Sequence, residues 1–252
     1  MKKLSRKRKY NWKPDLPDQR DFSFSLKVAA PVSIPTQIDL RKKCSPIEDQ
    51  GQIGSCTGNA LAGLIEYLDL YPDGTFEDVS RLFIYYNERL LENTTNEDSG
   101  ASLRDGIKAL ATWGVCRETL WPYSPKNVFN KPTKKVYLEA KEHCISTYFR
   151  LNSLNELKQC LALKFPFVFG FAVYESFETI QVARTGIMPM PKKSERMIGG
   201  HAVMAVGYDD NKKRVLVRNS WGKNWGQKGY FWMPYEYIES RNLALDFWTI
   251  RK

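Results

Sequence analysis

The stretch "DQGQIGSCTGNALAGLIEYL" (residues 49–68) places Cys56 where turn-forming residues give way to apolar residues at helical spacing: Ala60, Leu61, Leu64, Ile65 and Leu68. A thiol in the first turn of a helix faces unpaired backbone N–H groups and the positive end of the helix dipole, and both favour the thiolate. Thiolate chemistry also needs a base that later acts as an acid, and the chain has two histidines. His143 lies in the charged stretch "EAKEHCIS", where a helix surface is expected, whereas His201 opens the apolar run "HAVMAVGY" behind Gly199 and Gly200. Two residues without side chains leave that imidazole accessible. Asn219, in "VRNSWG", can accept a hydrogen bond from a ring N–H and fix the tautomer, with Trp221 keeping water off the bond. Gln50 carries an amide donor that, with the Cys56 backbone N–H, can hold an oxyanion. Taken singly, Cys56 reads equally well as part of a tight turn and His201 as a packed core histidine.

Because Cys56 and His201 are far apart in sequence, only a tertiary arrangement can join them. "SRLFIYYNERLLE" (80–92) and "SLRDGIKALATWG" (102–114) read as amphipathic helices with serine caps, the second ending at Gly114. A further helix is expected in "KKVYLEAKEH", and another behind Ser153. Beyond it, "FPFVFGFAVY", "HAVMAVGYDD", "RVLVRNSWG" and "GYFWMPYEYI" are rich in β-branched and aromatic residues separated by turn residues, which predicts strands. The front half is therefore mainly helical (about 50–140) and the back half mainly β (about 145–252), an α+β chain. Residues 10–35 hold four prolines and read as an extended, irregular arm.

The chain has 252 residues, 42% apolar and 26% charged, which is globular composition. Its apolar runs are too short for a membrane helix. Five cysteines without a CxxC pair favour free thiols over a zinc cluster, and no metal or cofactor is expected. Of the net charge of +10, six basic residues (Lys2, Lys3, Arg6, Lys7, Arg8, Lys9) fall in the first nine positions. They read as a solvated tail, more readily than as a nucleic-acid or membrane contact. No apolar stretch with a cleavage site follows them, so a cytoplasmic location at synthesis is expected, with export by a non-standard route as the alternative.

Three stretches together resemble the papain-like cysteine peptidases. "QGQIGSC" is similar to the family's Q-G-x-C-G-S-C, "GHAVMAVGY" to its histidine strand, and "NSWGKNWGQKGY" to N-S-W-G-x-x-W-G-x-x-G-Y at every specified position. "IPTQIDLRKKCSPIEDQG" and "GVCRETLWPY" extend the likeness over residues 34–252. It implies two subdomains, one helical and one β-barrel-like, with a peptide-binding cleft between them. It further implies Cys56 as nucleophile, His201 as general base and acid, Asn219 as the orienting residue and Gln50 as oxyanion donor. Gly100, Gly170, Gly199, Gly200 and Trp221 fall where the family contacts substrate, with Gly170, Gly199 and Phe171 shaping an open apolar pocket for the side chain one residue upstream of the scissile position. Ile53 stands where the motif has its first cysteine and Thr57 where a tryptophan is usual, so the disulfide of many secreted members cannot form. The arm is too short for a large helical propeptide, and "YNWKPDLPDQRDFSF" resembles the short leader of a bacterial-type branch, expected to cover the cleft or dock on the body. The expected function is hydrolysis of peptide bonds, with peptides or proteins as substrates and protein inhibitors as further partners. Acyl transfer on the same residues (deamidation, transglutamination, ligation) and a non-catalytic binding protein of this fold are the alternatives.

Overall fold

The computed structural model describes residues 8–24, 33–72 and 74–252. The basic positions Lys2, Lys3, Arg6 and Lys7, and Pro31 of the arm, lie outside the described residues.

The helical half is built on α1 (Cys56–Leu70), whose first twelve residues are all buried. A helix buried on every face has to be wrapped, and α2 (Arg81–Leu91) and α3 (Leu103–Trp113) do this from one side. Both begin as expected: the Ser80 hydroxyl accepts from the Phe83 N–H and the Ser102 hydroxyl from the Asp105 N–H, while Gly114, at φ 72°, closes α3. Gly58 lets α1 and α2 close on each other, since a Cβ there would lie 2.7 Å from the Arg81 carbonyl oxygen. The expected helix over "KKVYLEAKEH" is α4 (Lys134–Ala140), followed by a 3-10 turn (Lys141–His143) in which His143 Nε2 lies 3.2 Å from a Glu77 carboxylate oxygen.

The β half is a single antiparallel sheet. It contains β1 (Gln37–Asp39), β2 (Thr147–Arg150), β3 (Phe167–Tyr174), β4 (Met197–Asp209), β5 (Arg214–Arg218), β6 (Tyr230–Pro234) and β7 (Ala244–Arg251). The order is β2-β7-β3-β4-β5-β6, with β1 paired to β4. Three short helices flank it: α5 (Leu154–Ala162), capped by Ser153, α6 (Ile180–Thr185) and α7 (Tyr235–Glu239). Two expectations shift. The strand expected in "GYFWMPYEYI" is β6 and stops at Pro234, which cannot extend the ladder, and "YEYIE" turns into α7. β4 starts at Met197, so His201 lies inside the strand, opposite Phe171, with Gly199 and Gly200 paired to Val173 and Ala172.

The arm (residues 8–24) contains no α-helix among its described residues and lies across both halves. Trp12 N–H donates to the Gly200 carbonyl (3.0 Å) and Lys13 N–H to that of Ala101 (3.1 Å), one on β4 and the other just before α3. Farther along, Asp15 accepts from the Arg104 N–H (3.1 Å) and from Trp248 Nε1 (2.8 Å), and Asp21 pairs with Arg104 and Arg150. Phe24 is buried.

Candidate active site

Cys56 is the first residue of α1, and the β4 strand of the other half brings His201 to it. Backbone N–H groups of Cys56, Thr57 and Ala202 reach the Cys56 thiol, and Ala202 is the residue after His201. His201 Nε2 lies 2.9 Å from Asn219 Oδ1. An amide oxygen only accepts, so Nε2 carries the hydrogen and Nδ1 holds the free lone pair. Nδ1 is buried and has no hydrogen-bond partner. The Ser220 N–H also donates to Asn219 Oδ1 (2.8 Å), which fixes the amide's orientation. Trp221 stacks on the imidazole at 4.9 Å and 18°, sealing the His201–Asn219 bond.

Gln50 sits in the loop before α1. Its Oε1 accepts from the Ser220 hydroxyl (2.6 Å) and its Nε2 donates one hydrogen to the Ile53 carbonyl (3.0 Å), which leaves a second N–H on Nε2. Asp98 holds the same loop from the α2–α3 side: its carboxylate accepts from the Gly54 N–H (2.9 Å) and from Tyr85 Oη (2.6 Å). Nothing in "NEDSG" marks Asp98 in the sequence, because the pairing is made only once α1 and α2 are packed. Ile53, in the place of the family motif's cysteine, packs with Leu82, Tyr85, Ala101 and Val128.

The electrostatics correct one sequence expectation. Helix-start N–H groups do favour the Cys56 thiolate, yet burial outweighs them and pushes the thiol up to about 12. Burial likewise pushes His201 down to about 4, against the opposing pull of its bond to Asn219. Both side chains are fully buried, so the thiol and imidazole are neutral here. Water exclusion is the cause, and the arm supplies part of it: Tyr10 lies edge-on to His201 (6.2 Å) and to Trp221 (6.1 Å).

A second buried acid lies behind Cys56. Thr57 Oγ1 donates to Glu88 Oε2 (2.6 Å), so the tryptophan-to-threonine departure serves a polar contact rather than packing alone. Glu88 Oε1 has no partner, and burial pushes the carboxyl up to about 8. The folded chain therefore holds this proton more tightly than the unfolded chain does. The contribution of Glu88 to stability falls as pH rises from about 4.5 to about 8, at roughly 1.4 kcal/mol per pH unit, and is level above that. Glu88→Gln removes this slope: urea unfolding gives similar stabilities near pH 5 and a gain of roughly 4 kcal/mol for the variant at pH 9. Equal pH slopes in the two proteins would contradict the buried-acid reading.

The arm contacts all five glycine and tryptophan positions singled out for substrate. A Cβ on Gly170 would lie 1.9 Å from the Trp12 indole, one on Gly199 2.4 Å from Tyr10 Cβ, and one on Gly200 2.7 Å from Trp12. At Gly100, φ is 70° and a Cβ would strike Asn11. Arg8 lies over the Trp221 ring, 4.0 Å from its centroid.

Residues 34–244 match the family model described as papain family cysteine protease. The chain belongs to the papain family of cysteine proteases. An uncharacterized peptidase C1-like protein of Acanthamoeba polyphaga mimivirus is 47% identical over 215 residues, 81% of this chain and 69% of the relative. The crystal structure of xylellain, a cysteine protease from Xylella fastidiosa, is similar over 100% of this chain and 99% of that one, with TM-score 0.85 and 42% identity. Cysteine proteinase 1 of Entamoeba histolytica is 28% identical over 216 residues, 81% of this chain and 65% of that protein. The α+β, two-subdomain papain-like fold expected from the sequence is thus found, and the likeness to xylellain agrees with a bacterial-type branch. This member of the papain family is a cysteine peptidase, a hydrolase.

Proposed function

We propose that the chain hydrolyses peptide bonds by a thiolate mechanism in which Cys56 attacks, His201 moves the proton, Asn219 orients the ring, and Gln50 with the Cys56 N–H receives the oxyanion. The observation that carries this reading is the His201 pairing: Nε2–H is committed to Asn219, so the unpartnered Nδ1 on the strand beside the thiol is the basic nitrogen. His201 Nδ1 takes the thiol proton, the thiolate forms a thioester with the substrate acyl group, and His201 returns the proton to the leaving amine. Water, deprotonated by the same nitrogen, then attacks the thioester and releases the acid. The free second N–H of Gln50 Nε2 is the donor for the developing oxyanion.

The arm is read as a plug for this cleft. The leaving amine takes its proton from His201, so the departing part of a substrate lies on the Trp221 side, and the acyl part lies toward Gly170, Gly200 and Ala101. The arm runs from Arg8 at Trp221 to Trp12 and Lys13 at Gly170 and Ala101, opposite to a cleavable peptide. A chain laid backwards fills the subsites without presenting a carbonyl in the orientation for attack, and its dry cover accounts for the neutral thiol.

Mass analysis of products from a peptide library, with and without an added primary amine, tests the reaction class. Hydrolysis gives new α-carboxyl termini in both samples. Products joined to the amine as the main species would favour acyl transfer instead.

A further inference from the structure

We propose that the face of Trp221, together with Glu178 and Asp49, is a guanidinium-binding subsite on the leaving-group side of the cleft, so that peptides with arginine just C-terminal to the scissile bond are preferred substrates. The inference rests on the peptidase reading above.

The site is seen with its ligand type in place. The Arg8 guanidinium carbon lies 4.0 Å from the Trp221 ring centroid, and Arg8 Nη1 lies 3.1 Å from Glu178 Oε2. Burial works against the Arg8 charge, and the Glu178 and Asp49 carboxylates oppose that effect on the same cation. These three groups are fixed by the fold rather than gathered by the arm. Trp221 is held by its stack on His201 and by packing against Phe177 (5.5 Å) and Trp225 (4.9 Å). Glu178 belongs to the 3-10 turn Glu175–Glu178, whose Phe177 is buried in that same aromatic cluster. Asp49 pairs by backbone with Trp221, and its carboxylate accepts from the Gly51 N–H (2.9 Å).

An aromatic face with one carboxylate in contact and a second nearby selects for a flat cation: the ring quadrupole attracts it, the Glu178 carboxylate accepts its N–H, and Asp49 adds attraction at longer range. The side chains of Arg8 and Glu178 are about one fifth and one third exposed, so the pair is partly desolvated and less screened than a surface ion pair. Because Trp221 also stacks on His201, a substrate residue anchored on its outer face lies beside the group that protonates the leaving amine. When the arm leaves, Arg8 leaves with it and the subsite is free for a substrate arginine.

The test uses internally quenched peptides that differ only at the first residue after the scissile bond: arginine, or citrulline, its uncharged isostere. The full-length chain and the full-length Trp12→Ala variant are expected to cleave the arginine peptide with a kcat/KM about 10-fold above the citrulline peptide. In Glu178→Gln the ratio should shrink to about 2 or less. The ratio is the readout because Glu178→Gln also loosens Arg8, which changes the rates on both peptides alike. Equal kcat/KM values for the two peptides, or a ratio unaffected by Glu178→Gln, would overturn the proposal while leaving the peptidase reading intact. Failure of every peptide, with no thiol-directed label on Cys56, would overturn both.

Discussion

Cys56→Ala lowers peptide cleavage by on the order of 10⁵-fold or more, while its thermal unfolding stays close to that of the parent. Groups that act as a unit in covalent catalysis lose nearly the whole rate when the nucleophile is removed, because the remaining donors only bind and polarise. The four other cysteines cannot substitute. Cys116 and Cys160 are buried, and each is pushed up by burial, to about 12 and about 11. Cys44 and Cys144 are partly exposed, but the only imidazole besides His201 is His143, whose Nε2 faces Glu77. A small stability change is expected because the thiol is a minor part of a helix start that Gln50, Ser220 and Asp98 hold in place. Cleavage by Cys56→Ala within tenfold of the parent, measured with the same fluorogenic peptide, would contradict the assignment.

Trp12→Ala raises the initial cleavage rate of the full-length chain by roughly 10²-fold. The indole is 7% exposed and fills space that Gly170 leaves open, so truncation to alanine costs about 3 kcal/mol of arm docking. Cleavage needs an uncovered cleft, and the open population should rise by the corresponding factor as long as it remains small. Two features favour release over permanent closure. The Trp12 Nε1 and Tyr10 Oη groups are buried without partners, so docking leaves two polar groups dry. Two of the arm's ion pairs, Lys9–Asp98 and Lys13–Glu92, are part-exposed and add little. An unchanged rate in Trp12→Ala, with the variant folded, would show that the arm is only a structural strap.

The site was legible where its chemistry is written in short motifs. Gln50, Cys56, His201, Asn219 and Trp221 each lie in a stretch whose residue types have few other uses together, and the fold brings them to one place. The three amphipathic helices were legible because their serine caps and apolar spacing are local. What escaped was tertiary. Asp246, at φ 57° and buried, breaks the alternation of β7, and it is stable there because Arg150 (2.9 Å) and the Asp15 N–H (2.8 Å) reach it from distant segments. The low thiolate tendency of Cys56 could not be read from its helix-start position, since desolvation depends on what the fold packs around the thiol. Nothing local in α2 distinguishes Glu88, and only packing against Thr57 and Gly106 makes it a dry acid.

The most direct test is the position and rate of covalent labelling by a thiol-directed epoxysuccinyl peptide, read by intact mass and peptide mapping on the full-length chain and on Trp12→Ala. The account predicts one adduct per chain, on Cys56, formed much faster in Trp12→Ala than in the parent and absent from Cys56→Ala. Adducts spread over Cys44 and Cys144 with Cys56 unmodified in Trp12→Ala would contradict it.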